Sequence, residues 1–77
     1  MKKKVEVLLY ASFQKYLPQV GEGYVLEEPK TIGEILVDLG IPEEHVMVIM
    51  IGDRLGRPDS MLEGGERLKL FPLIGGG

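Results

Sequence analysis

With 77 residues, 44% of them hydrophobic, the chain has material for one small core built mainly from Leu, Val and Ile. It has no cysteine, which excludes disulfides, thiolate-held metals, iron–sulfur clusters and a thiol nucleophile on this chain. A formal net charge of −3 argues against a nucleic-acid surface, and no apolar run approaches membrane-spanning length.

The chain begins with Lys2-Lys3-Lys4, read as a solvated start rather than a nucleic-acid patch. Glu6 interrupts the apolar stretch that follows, so a signal peptide is not expected and the location read from the sequence is cytoplasmic. Val5 to Tyr10 is β-branched, aromatic and partly alternating, which predicts a strand with Val5, Val7 and Leu9 on one face and Glu6, Leu8 and Tyr10 on the other. A loop through Pro18, Gly21 and Gly23 is expected next, then a second strand from Tyr24 to Glu28 that returns as a hairpin.

Thr31 with Glu34 three positions on forms a capping-box pattern, and Ile32, Ile35, Leu36 and Leu39 recur at helical spacing. Gly40 and Pro42 stop that helix, expected to run about three turns. Pro42-Glu43-Glu44 suggests a further single turn. Val46 to Ile51 is an unbroken apolar strand, so both of its faces must be covered or one must carry an apolar patch. Turn signals at Gly52-Asp53 and Gly56 to Asp59, a short segment from Met61 and a Gly64-Gly65 turn lead to a last strand from Arg67 to Phe71.

The expected architecture is α+β: a mixed sheet of roughly four to five strands with one helix packed across one face. One helix covers one sheet face only. Leu8, Tyr10, Phe71 and one alternating set, Met47/Ile49/Ile51 or Val46/Val48/Met50, are then left on the other. Met47, Met50 and Met61 are read first as core and second as a soft docking surface. His45 is the sole histidine, and one histidine does not make a metal site.

The ending, Phe71-Pro72-Leu73-Ile74-Gly75-Gly76-Gly77, asks for a reason. Pro72 favours an extended chain, Leu73 and Ile74 are apolar, and glycine passes a channel too narrow for a Cβ. At roughly 3.3–3.6 Å per residue, the residues past Pro72 reach about 17 Å. Such a tail can thread a carboxylate into another protein's active site. The chain carries no phosphate-binding motif and no Ser/His/Asp set, so any activation of that carboxylate falls to a separate enzyme.

The strand opening into Ala11-Ser12-Phe13, the helix start Thr31-Ile32-Gly33-Glu34-Ile35-Leu36 and the ending Leu62 to Gly76 together resemble the MoaD/ThiS family of sulfur carriers. The resemblance implies a ubiquitin-like β-grasp fold over residues 1–77 as one domain, with a flexible tail at 73–77. It implies a protein co-substrate, not an enzyme. The terminal glycine would be adenylated by an E1-like enzyme of the MoeB/ThiF type, converted to a thiocarboxylate, and used to donate sulfur. The acceptor would be the catalytic subunit of molybdopterin synthase, favoured by Phe71-Pro72, or thiazole synthase. No cofactor is bound on this reading; ATP belongs to the activating enzyme, and neither nucleic acid nor membrane is a partner. By position, Gly77 and Gly76 carry the reactive end, and Phe71, Pro72, Leu73, Ile74 and Gly75 meet the partner.

Three departures stand out. Gly64-Gly65 replaces the family's usual Gly-Asp, Gly52-Asp53 replaces an Asn-Gly turn, and the tail is longer than MoaD's by one residue. Either Gly77 reacts or it is trimmed to expose Gly76. Two other functions fit the same residues: a non-covalent β-grasp interaction module, for which the glycines are dispensable, and a ubiquitin-like modifier that joins lysines.

Overall fold

The computed structural model describes residues 3–21 and 23–73. Its elements run in the order β1 (Lys3–Leu9), a 3-10 helix (Ala11–Tyr16), a single turn α1 (Leu17–Val20), β2 (Tyr24–Leu26), β3 (Lys30–Thr31), α2 (Ile32–Leu39), a 3-10 turn (Glu43–His45), β4 (Val46–Ile51), β5 (Arg54–Leu55), β6 (Met61–Leu62) and β7 (Arg67–Pro72).

The main sheet has five strands in the order β2-β1-β7-β4-β5. β1 and β7 are parallel neighbours, with Val7 opposite Leu68 and Leu9 opposite Leu70. β2 and β4 pair antiparallel with β1 and β7 respectively. This is the ubiquitin-like β-grasp arrangement expected from the resemblance. β3 and β6 form a separate two-stranded sheet, with Thr31 opposite Met61.

Local chemistry sets α2. The Thr31 hydroxyl accepts from the Glu34 amide at 3.1 Å, and the Glu34 carboxylate accepts from the Thr31 amide at 2.8 Å. Two amides that the first helical turn leaves over are thereby paired. Gly40 closes the helix at φ 76°, a left-handed geometry that glycine adopts without strain. The helix has 8 residues, about two turns rather than three, because the chain turns at Gly40 as soon as Leu39 is buried. Ile32, Ile35, Leu36 and Leu39 pack in one cluster with Val5, Val7 and Leu9 of β1, Leu68 and Leu70 of β7, and Ile49 of β4.

Three expectations are corrected. The segment before β2 is helical rather than a loop: Phe13, 2% exposed, is drawn into the core and winds the chain around it. β2 stops at Leu26, the last residue with a partner on β1. Neither alternating set of β4 shares a face. Val46 pairs with Pro72 and Val48 with Phe71, so Met47 is an extra residue, a bulge. The bulge resets the alternation. Val46, Ile49 and Ile51 turn toward the core, while Met47, Val48 and Met50 all line the opposite face.

Pro72 lacks an amide yet belongs to a central strand. Leu73 donates its amide toward β4, to the His45 carbonyl at 2.9 Å, so the nitrogen of Pro72 faces the β1 side. β1 ends at Leu9, opposite Leu70, and asks nothing of that nitrogen.

Candidate functional site

The sheet face away from α2 holds a groove of about 730 Å³ lined by Tyr10, Ala11, Ser12, Met47, Val48, Met50, Phe71, Pro72 and Leu73. Three elements build it. β1 runs out at Leu9 and delivers Tyr10; the 3-10 helix supplies Ala11 and Ser12; the bulged β4 supplies both methionines. Tyr10 and Phe71 form its floor as a stacked pair, with ring centroids 4.4 Å apart and planes at 8°. The lining is apolar apart from hydroxyl and backbone groups, and Met47 is 59% exposed. Flexible thioethers on an open apolar surface suit a face that repacks around a partner. The core reading for Met47 and Met50 is therefore corrected, and Met61, 54% exposed, is not a core residue either.

Ala11 reaches the groove at a backbone φ of 50°, among the described residues the sole non-glycine with positive φ. An L side chain in that region is held at some cost. The sharp turn it makes swings the chain off β1, so that Phe13 enters the core while Ser12 stays at the groove.

Of the residues expected to meet a partner, Phe71, Pro72 and Leu73 all line this groove. Pro72 is buried against it, and Leu73 is 47% exposed with its amide tied to His45. The chain is thus held to the sheet through Leu73, one residue beyond Pro72. Ile74, Gly75, Gly76 and Gly77 lie outside the described residues. Sequence reasoning missed Ala11 and Ser12 as groove residues and placed Val48 on this face in only one of its two alternatives. The unbroken apolar run of β4 was the available signal for Val48, and the other two carry none in their own chemistry.

His45 is exposed at the end of its 3-10 turn, and the described residues hold no group of three metal-binding side chains. The polar clusters elsewhere are structural. Tyr24 donates to Asp38, and Lys30 reaches both, at 3.2 Å to the Tyr24 hydroxyl and 3.0 Å to the Asp38 carboxylate. The hydrogen bond from Tyr24, then that from Lys30, holds Asp38 below the usual carboxylate range. The cluster ties β2 and β3 to α2. Near β7, burial pushes the Glu66 carboxyl up, but amides of Glu63 and Gly64 donating at 2.8 and 2.7 Å bring it below its ordinary value. That carboxylate braces the Gly64-Gly65 turn. Gly64 sits at φ 117°, and a Cβ there would lie 2.4 Å from Cβ of Lys3.

The chain matches the ThiS family over residues 7–77. Among solved structures it resembles SAMP1 from Haloferax volcanii, at 18% identity and a TM-score of 0.62, over 96% of this chain and 99% of that one. It also resembles the HVO 2177 protein of Haloferax volcanii, at 19% identity and a TM-score of 0.65, over 99% of this chain and 88% of that one. At these identities the likeness speaks for the fold. No curated protein gives a significant match. No helix among the described residues is long and apolar enough to cross a membrane.

Proposed function

The chain belongs to the ThiS family, and from that membership we propose that it is a sulfur carrier, a protein co-substrate whose terminal glycine is the reacting group. One observation supports this most: the apolar groove is continuous with the end of β7. Phe71, Pro72 and Leu73 line the groove and lead directly into Ile74 and the glycines. A partner seated there holds the chain at the point from which the tail departs.

The chemistry follows from the carboxylate. At neutral pH it is a poor electrophile. Its oxygen attacks the α-phosphorus of ATP in a separate E1-like enzyme, pyrophosphate leaves, and an acyl-adenylate results. A persulfide sulfur then displaces AMP. Cleavage of the acyl disulfide by a thiol leaves the thiocarboxylate, which gives its sulfur to an acceptor. Glycine at the last positions lets the catalyst approach the backbone with no side chain in the way. The adenylate and thiocarboxylate form on Gly77, or on Gly76 after trimming. The carrier itself binds no cofactor on this reading; ATP is held by the activating enzyme. Phe71-Pro72 favours molybdopterin synthase as acceptor, with thiazole synthase as the other candidate.

The test is the intact mass of the chain after incubation with an E1-like enzyme of the MoeB/ThiF type, ATP and a persulfide donor. A gain equal to sulfur replacing oxygen, located on the final glycine, is the expected result. A chain joined through an amide to a lysine would instead establish a modifier. An unchanged mass with competent activating enzymes would refute the carrier reading and favour a non-covalent module.

A further inference from the structure

The face that carries the groove is not uniformly apolar. In the β1–β7 register Leu8 stands opposite Lys69, and in the β4–β7 register Met50 stands opposite Lys69. Phe71 lies two positions along the same strand and points the same way. Lys69 is half-buried, with apolar side chains on three sides.

Its neighbour Arg67 shares the face but is already engaged, its Nε 2.8 Å from a carboxylate oxygen of Glu6. Lys69 makes no ion pair or side-chain hydrogen bond with any described residue. Lys69 is not among the residues that line the groove but borders it beside Met50 and Phe71, and a partner wide enough to cover those two side chains takes water from its ammonium. Left unmatched it then opposes docking, and a carboxylate set against it removes the penalty and adds a charge-assisted bond.

We propose that Lys69 determines which partner the groove accepts: the activating enzyme must bring a carboxylate to Lys69 alongside the apolar side chains that enter beside Phe71 and Met50. This rests on the carrier reading and deepens it by assigning the chemistry of the docking surface. An activating enzyme with an all-apolar docking surface, or with a cation at that place, is rejected. The contact acts on encounter and docking rather than on the acyl chemistry, because Lys69 sits back along β7 from the tail.

The experiment measures adenylation, as ATP–pyrophosphate exchange, against carrier concentration for the full chain with a purified E1-like enzyme. Binding of the two proteins without ATP is measured alongside by calorimetry. Lys69→Gln should raise KM and Kd about tenfold, Lys69→Glu should raise them further, and Lys69→Arg should restore most of the loss. The loss should shrink as salt is raised, since added ions screen the wild-type contact. Lys4→Gln, an equal charge change on an exposed part of β1 outside the groove, serves as the control and should leave both constants within about twofold. Equal effects of Lys69→Gln and Lys4→Gln, or unchanged constants for Lys69→Glu, would overturn the proposal while leaving the carrier reading intact. A wild-type chain that neither binds nor is adenylated would overturn both.

Discussion

Tyr10 and Phe71 are sixty-one positions apart in sequence, yet their rings stack with centroids 4.4 Å apart. The pair joins the end of β1 to the end of β7 at the place where the tail leaves the sheet. Phe71 is half-buried, so part of its surface serves folding and part is open to a partner. Phe71→Ala should therefore leave a folded protein that is less stable by about 1–2 kcal/mol, below the cost of emptying a fully buried aromatic site. Binding to an activating enzyme should weaken at the same time. Urea unfolding and calorimetry separate the two effects, and undiminished binding by a folded Phe71→Asp chain would remove the groove from the proposed docking surface.

The fold and the tail are predicted to be separable. A chain truncated before Gly75 retains all of β7 and the Leu73–His45 hydrogen bond. Its thermal unfolding should match that of the full chain, while adenylation and sulfur transfer are lost. Sulfur transfer by the truncated chain, read by mass spectrometry and acceptor turnover, would contradict the carrier reading.

Acid should destabilise the fold in a defined window. The Thr31 amide and hydroxyl hold the Glu34 carboxyl below its ordinary value, and Tyr24 followed by Lys30 does the same for Asp38. Glu66, raised by burial, is brought down overall by the amides of Glu63 and Gly64. A depressed carboxyl pKa contributes stability above the unfolded-state value, and that contribution disappears as pH falls through the folded-state value. Urea midpoints should thus be flat from neutrality to about pH 5 and fall below roughly pH 4.5. Glu66→Gln should flatten part of that descent. A wild-type midpoint that stays level down to pH 3 would show that these carboxylates do not support the fold.

Ala11 provides a test in the opposite direction. At φ 50° an alanine pays a steric cost that glycine does not. Ala11→Gly should leave stability unchanged or raise it by up to about 1 kcal/mol, because relief in the folded state is offset in part by the freer unfolded chain. A large loss on this substitution, seen in chemical denaturation, would mean that the Ala11 methyl packs more than its backbone costs.

What could be read in the sequence was what neighbours along the chain decide. Thr31 with Glu34, the apolar stripe of α2 and the stop at Gly40 are all set within a few residues, and the structure follows them. The faces of β4 were hidden because Met47 bulges against Pro72 and Phe71, more than twenty residues away. A hydrophobic pattern records alternation but not the partner strand's register. The 3-10 helix was hidden for a related reason. Its start at Ala11 needs a conformation that alanine seldom adopts, and the force that imposes it, burial of Phe13, comes from the completed core. At the candidate site, Phe71, Pro72 and Leu73 were legible through the family resemblance. Lys69 was not, since its place among Leu8, Met50 and Phe71 exists only once three strands are side by side.

The strand order has a consequence for the chain as it is made. β7 follows the other strands of the main sheet along the chain, yet it is the middle strand and joins β1–β2 to β4–β5. A nascent polypeptide that has not yet emerged beyond Arg67 lacks the strand that joins the β1–β2 and β4–β5 pairs, and with it Leu68 and Leu70 of the core. The sheet assembles only when the ribosome has passed the codons of β7 and released that segment from the exit tunnel. Any molecule that presents an intact groove has also been translated through the residues that lead into its tail.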